Sequence, residues 1–236
     1  MARKASSTNG SMLDEIGTSQ DEASVESERG ILNITAPNFQ YVTVKIIGET
    51  IYCQHKFGAK AMEQMRTQQA AGSVSKAKKQ REPKDFDQAY LDAMYISTEG
   101  WHGIPSSTFR NAMIAACRTV GVVMTRAKLA VFVVEDGHDR TSEEPLTKIT
   151  KGEPYKLELP VRNQTGVIDI RARPAWRPGW EAMPIIRFDA DMISASDIIN
   201  LLVRVGAQVG IGEGRPSSKN SNGNGWGLFR VENVND

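Results

Sequence analysis

The stretch from Val209 to Val231 most limits what this chain can become. Its six glycines, at 210, 212, 214, 223, 225 and 227, follow a well-marked helical pattern and run into a short strand-like tail. Glycine has no side chain and tolerates positive φ, so backbone N–H groups here can approach a phosphate or another backbone closely. Arg215, Lys219 and Arg230 put positive charge beside them. The residues alone allow two readings: a flexible connection before a terminal strand, or a turn that contacts an anion. Known nucleotide motifs do not fit. The phosphate-loop run ending in Gly-Lys-Ser or Gly-Lys-Thr is absent, and Gly210 and Gly212 are followed by Arg215 where a dinucleotide fingerprint needs its third glycine. Both motifs also need a strand before and a helix after.

Charge is informative by its distribution. The chain has 236 residues and a net charge of +1, which singles out no partner. Three basic against six acidic residues in the first 30 leave the remainder at +4. Those 30 residues are Ser, Thr, Glu and Asp with few large apolar groups, the composition of a disordered tail, and residues 31–236 are expected to form a single domain. Cys53 and Cys117 have no CxxC partner, so both are expected as free thiols of a reducing cytoplasm. No apolar run reaches the roughly 18 residues of a membrane span and no leader pattern opens the chain, which predicts a soluble cytoplasmic protein.

Periodicity then gives the elements. Val42, Val44 and Ile46 alternate with Tyr41, Thr43 and Lys45, as in a strand with one buried face ended by Gly48. Residues 58–95 read as a helical insertion: one helix over Ala59–Ala71, with Met62 and Met65 on one side, and another from Asp85 to Tyr95 with Phe86, Tyr90 and Met94 in line. Between them lie Lys76, Lys78, Lys79 and Arg81, a solvated loop or an electrostatic clamp for a nucleic-acid backbone. Ser106 or Ser107 is expected to cap a helix whose stripe is Phe109, Met113, Ala116, Cys117 and Val120, with Gly121 after it. Leu129–Val134 is apolar and β-branched and suits a central strand. Lys156–Arg173 predicts a hairpin excursion. Met183–Phe188 predicts a strand with Pro184 at an edge or at its first residues. Ser194-Ala-Ser-Asp197 reads as a capping box for a helix with Ile198, Leu201, Leu202 and Val205 inward, ended by Gly206. Trp226–Val231 closes the chain as a strand. Without insertions the order is β-α-β-β-α-β, an α+β fold of RRM or ferredoxin-like type.

Enzyme signatures are sparse. His55, His102 and His138 are scattered without metal-ligand spacing, and no nucleophile motif is present. Asp189 and Asp191 are two apart, at a turn or a metal. No cofactor and no metal are expected. Binding chemistry is better represented: Arg162, Arg171, Arg173, Arg177, Arg187, Arg204, Arg215 and Arg230 share the last third of the chain with Trp176, Trp180 and Trp226. Arginine and aromatic rings can contact phosphate and stack on unpaired bases, although core packing accounts for two of the three tryptophans. The aromatic spacing of a true RRM is missing from Trp226-Gly-Leu-Phe-Arg-Val.

Two segments together resemble a known family. Ile104-Pro-Ser-Ser-Thr-Phe-Arg-Asn-Ala-Met-Ile-Ala-Ala-Cys-Arg118 resembles the helix start of the RAMP superfamily, the RRM-like proteins of CRISPR systems. Val209–Val231, with Gly225-Trp-Gly-Leu-Phe, resembles that family's C-terminal glycine-rich loop and strand. The resemblance implies that Ser107 and Arg110 at the helix start, and Gly210, Gly212, Arg215, Lys219 and Gly225 in the loop, contact a nucleic-acid backbone at one edge of a four-stranded platform. It implies assembly of copies along the strand, and it makes residues 49–103 and 155–182 the inserted subdomain and thumb-like hairpin. Ser106 and Asn111 stand where the family usually has glycines, and the loop carries a long Ser/Asn-rich insert. The sequence also resembles the stand-alone, phage-encoded proteins with this domain, which the long polar N-terminal tail suits. With Lys45, Arg171, Arg173 and Trp226 added from the charge and aromatic pattern, the expected activity is non-enzymatic binding of RNA or single-stranded DNA by a homo-oligomer in a bacterial host. Two rivals stay open: a metal-independent endoribonuclease with His102 or His55 as general base, and a phage accessory or inhibitor protein acting through protein contacts.

Overall fold

A computed structural model describes residues 34–57, 59–70, 85–162, 168–218 and 224–232. The strands are β1 (Phe39–Thr43), β2 (Lys45–Gly48), β3 (Tyr52–Cys53), β4 (Gly103–Pro105), β5 (Val131–Val134), β6 (Gly137–His138), β7 (Pro145–Lys151), β8 (Pro154–Arg162), β9 (Ile168–Trp176), β10 (Glu181–Ala182), β11 (Ile185–Asp189) and β12 (Phe229–Glu232). The helices are α1 (Ala59–Ala70), α2 (Phe86–Asp92), α3 (Ser106–Ala116), α4 (Met124–Ala130) and α5 (Ala195–Arg204).

β1 and β2 behave as one strand broken at Val44, and β10 and β11 as one broken at Met183–Pro184. A single antiparallel register joins them, from Phe39 opposite Asp189 to Ile47 opposite Glu181. Pro184 cannot donate a ladder bond, but its carbonyl still accepts from the Val44 N–H at 3.2 Å. β12 pairs with the outer edge of β2, and β5 with the outer edge of β11. The platform order is therefore β12, β1–β2, β10–β11, β5, all antiparallel, with α3 after the first strand and α5 after the third. This is a ferredoxin-like α+β fold. β7 also pairs with β10, which extends the platform to β4 and β6.

Burial follows the alternation. Val44, Ile46, Ile186, Phe188 and Val131 face a core shared with Phe109 and Met113 of α3 and Ile198, Leu201 and Leu202 of α5. Ser194 caps α5: its Oγ accepts from the Asp197 N–H and donates to the Asp197 carboxylate at 2.6 Å. Trp176 and Trp180 are fully buried and pack on Tyr52, with Trp180 Nε1 donating to the Thr50 carbonyl. Cys53 and Cys117 are buried free thiols.

Several local expectations are corrected. Ser106 and Ser107 do not cap α3, which starts at Ser106 with Pro105 as its N-cap and no side-chain cap. Their hydroxyls go to Thr147 and Glu144, brought in by β7 and the chain before it. Leu129 is in α4 and 70% exposed, and the strand after it lies at the edge of the platform, not its centre. Gly206 does not end α5. A π-helical turn continues over Val205–Val209, and Gly206 lets β12 close on it: a Cβ there would lie 2.0 Å from the Phe229 carbonyl oxygen. Met62 and Met65 of α1 are exposed. On the hairpin, Ile168 and Ile170 at the tip are exposed while Ala172, Pro174 and Trp176 further along the same face are buried, and Arg171 and Arg173 on the other face are half-buried.

The acidic tail lies outside the described residues. Residues 37–236 form one compact unit, and no helix among the described residues is long and apolar enough to cross a membrane.

Candidate nucleic-acid interface

The glycine-rich turn is tied down over its described residues. The Gly210 N–H donates to Val205, Ser217 to Val209, Ile211 to Gly227 and Trp226 to Gly214, all at 2.8–3.2 Å. Two further bonds stitch it to the start of the insertion, from Glu213 to the Cys53 carbonyl at 2.9 Å and from Gly227 to the Ile51 carbonyl at 2.7 Å. Its glycines have positive φ, and most are needed by the protein's own packing. A Cβ at Gly212 would meet the Cys53 carbonyl oxygen at 2.5 Å, one at Gly214 the Trp226 ring at 2.6 Å, and one at Gly227 the Ile211 carbonyl oxygen at 1.8 Å. Gly210 is similarly crowded by the Trp226 carbonyl. Gly225 alone in this stretch, among the described glycines, faces open space.

A charged cluster forms where this turn meets β9. Glu213 Oε2 accepts from Arg173 Nε at 2.9 Å and lies 3.9 Å from His55 Nδ1. Burial and the Arg173 and Arg171 charges hold the His55 imidazole below its usual range, against the opposing pull of Glu213. The Cys53 thiol is pushed up to about 12, by burial first and then by Glu213, so it is no nucleophile at neutral pH. Arg215 Nη1 donates to the Gly212 carbonyl at 2.9 Å. Arg171, Arg173, Arg215 and His55 thus share one corner with Glu213 and Asp169, the latter 4.0 Å from Arg171.

The other expected contacts are placed elsewhere. Ser107 donates to Glu144, and Arg110 donates Nε and Nη2 to the carbonyls of Val131 and Lys128. These partners lie on the β5 side of the platform, whereas the turn is bonded to Ile51, Cys53 and the approach to β12. The start of α3 nonetheless adjoins the strand that holds the turn: Gln54, next to Cys53, donates Nε2 to the Gly103 carbonyl at 2.6 Å, and α3 packs against the π-helical turn that leads into the glycines. Lys45 is spent on Glu232 and Glu181, at 3.1 and 3.5 Å. Trp226 is half-buried against Gly214. Lys76, Lys78, Lys79, Arg81 and Lys219 lie outside the described residues.

His102 packs edge-on against Trp176 with its ring centroid 5.8 Å away, and burial holds its pKa down. Asp189 ends β11 and accepts from the Asp191 N–H, which accounts for that pair as a turn. Among the described residues no group of three His, Cys, Asp or Glu could hold a metal ion. Sequence reasoning missed Glu213, hidden between two glycines. It also missed the aromatic face of β1, where Phe39 and Tyr41 stand two apart on the exposed side of an alternating strand. That alternation was the available signal.

No family model matches the sequence, and no curated protein matches it. By structure the chain is similar to a chain of a Type III-B Cmr-beta complex, solved by cryo-EM bound to cognate target RNA, at 10% identity and a TM-score of 0.47. That alignment covers 83% of this chain and 60% of the other, so this chain spans less than two thirds of the length it is compared with. At that score the likeness adds nothing to the fold read from the strand order.

Proposed function

We propose that this protein binds single-stranded nucleic acid, RNA or DNA, without cleaving it, and does so through the corner formed by β9 and the glycine-rich turn. One observation carries the reading: Arg171, Arg173 and Arg215 are gathered there with His55 against fewer carboxylates, on a turn held in shape by its own backbone bonds. Cations on a rigid frame suit a phosphodiester thread, which supplies regularly spaced negative charge and no fixed side-chain shape. Taken with the ferredoxin-like order and the two resembling segments, the corner fits a stand-alone, phage-encoded protein of the RAMP superfamily, acting in the bacterial cytoplasm with copies assembled along one strand.

Binding of labelled single-stranded RNA and DNA, measured by anisotropy across a salt series, tests this. Affinity should fall linearly on a log–log plot, by about 0.7 in slope for each phosphate engaged. No affinity at low salt, or affinity indifferent to salt, removes the reading.

A second reading has one specific observation behind it. The His55 ring sits beside Glu213 and Arg173 with its pKa lowered, so it is neutral near pH 7 and able to take a proton from a ribose 2′-hydroxyl. Metal-independent RNA cleavage that disappears in His55→Ala would favour it; intact RNA after long incubation dismisses it.

A further inference from the structure

The face of the platform opposite the helices holds an aromatic cluster. Register puts Tyr41, Arg187 and Phe132 abreast across β1, β11 and β5, with Phe39 two residues before Tyr41 on the same side. Their neighbours Val42, Ile186 and Val133 turn to the core side. Phe39 and Phe132 meet edge to face, ring centroids 6.0 Å apart. The Arg187 guanidinium lies over both, 4.5 and 4.9 Å from the centroids, and that of Arg110 is 5.4 Å from Phe132. Tyr41 is 63% exposed and Phe39 37%.

Two features make this more than a surface apolar patch. The Arg187 side chain has no hydrogen bond or ion pair among the described residues, and its Nε is buried without an acceptor. A buried donor left unpaired is uncommon and calls for a cause. Among the described residues, the hydrogen bonds of the Arg110 guanidinium go to carbonyl oxygens. Two guanidinium groups therefore share one aromatic cluster, neither in an ion pair among the described residues, and the Arg187 group lies over two rings. An aliphatic partner could cover Tyr41, but it would bury that charge without an acceptor. A nucleotide brings a flat ring and an anionic phosphate in one unit.

We propose that this face is a base-stacking platform, on which an unpaired base of a bound strand lies against Tyr41 while Arg187 donates to the phosphate or carbonyl edge of the same nucleotide. The assignment rests on single-stranded nucleic acid being the ligand. It adds a contact to bases on a different surface from the corner that meets the backbone, so a strand touching both must cross the platform.

The full-length protein is tested with oligo-dT, oligo-U and an abasic strand of equal length. Tyr41→Ala should weaken oligo-dT and oligo-U binding roughly 10-fold at fixed salt, the effect of losing one stacked base, and leave the salt slope unchanged. Tyr41→Phe should bind as the parent does. The abasic strand should bind the parent and Tyr41→Ala equally. A Tyr41→Trp variant, whose exposed ring leaves the fold intact, should lose emission as strand is added. If the parent binds strands but Tyr41→Ala matches it and Tyr41→Trp emission stays constant at saturation, the platform is wrong and backbone binding stands. If the parent binds none of the three strands, both ideas fall.

Discussion

Arg173 on β9 and Glu213 in the glycine-rich turn form an ion pair with Nε and Oε2 2.9 Å apart. The pair clips the long β8–β9 hairpin to the last turn of the chain. It also sets the electrostatics of the corner, because the same carboxylate oxygen faces His55. Glu213 is thus both the clip and the counter-charge that any anionic ligand of this corner must compete with.

Glu213→Gln should accordingly strengthen strand binding at low salt. The change keeps the side chain's shape, removes one negative charge and leaves the Arg173 guanidinium free to meet a phosphate, which steepens the salt dependence by about 0.7 in log–log slope. The same change withdraws the one influence that raises the His55 pKa, so its NMR titration midpoint should move further below 6.5. Unchanged or weaker binding would mean that these arginines do not meet the strand.

The glycines of the turn should separate sharply on substitution. Gly227→Ala puts a Cβ against the Ile211 carbonyl where only backbone can move, at φ +71°. Gly225→Ala has open space and suffers only the left-handed conformation at φ +64°, a cost of about 1–2 kcal/mol. Urea titration should show Gly225→Ala folded with a modest loss and Gly227→Ala losing several times more or failing to fold. Equal losses would mean that packing is not why Gly227 is there.

What the sequence disclosed was what neighbours in the chain decide. Ser194 and Asp197 are three apart, and the capping box they spell is the one observed. The alternation from Tyr41 to Ile46 marks a true inside and outside. What stayed hidden depends on distant partners. Ser106 looks like a cap, but Thr147 takes its hydroxyl across 41 residues. Gly206 looks like a helix stop until β12 is seen lying on it. Tyr41 reads as the polar side of a strand, and its neighbour Arg187 is fixed by register rather than by spacing. Arg110 fits a phosphate-contact motif, yet the fold turns it onto the carbonyls at the end of α4.

Arg110→Ala therefore tests a structural role. Its two hydrogen bonds hold α3 to Val131 and Lys128, and its removal leaves those carbonyls without that donor. The loss should be about 1.5–3 kcal/mol in chemical denaturation, the range for a hydrogen bond involving a charged group. Stability within error of the parent would show that these bonds contribute nothing.

A buried pair predicts acid sensitivity. Asp139 is fully buried and accepts from Lys56, from the N–H groups of Ile96, Thr141 and Ser142, and from the Ser142 hydroxyl. Burial disfavours its charge, but Lys56 and the Ser142 and Thr141 donors prevail and hold the carboxyl below its usual 3.8. A carboxyl whose folded pKa is depressed adds stability that is fully present above the unfolded value, and loses it as pH falls through the folded one. The melting temperature of the parent should therefore drop with acidification below about pH 4, where the unfolded chain takes up a proton that the folded one resists. Asp139→Asn should cost about 3–5 kcal/mol at neutral pH, because it strands the Lys56 ammonium where only 10% of that side chain reaches solvent. The gap between variant and parent should narrow as the pH falls. A gap that stays constant down to pH 3 would mean that Asp139 contributes through its hydrogen-bonding shape alone and not through its charge.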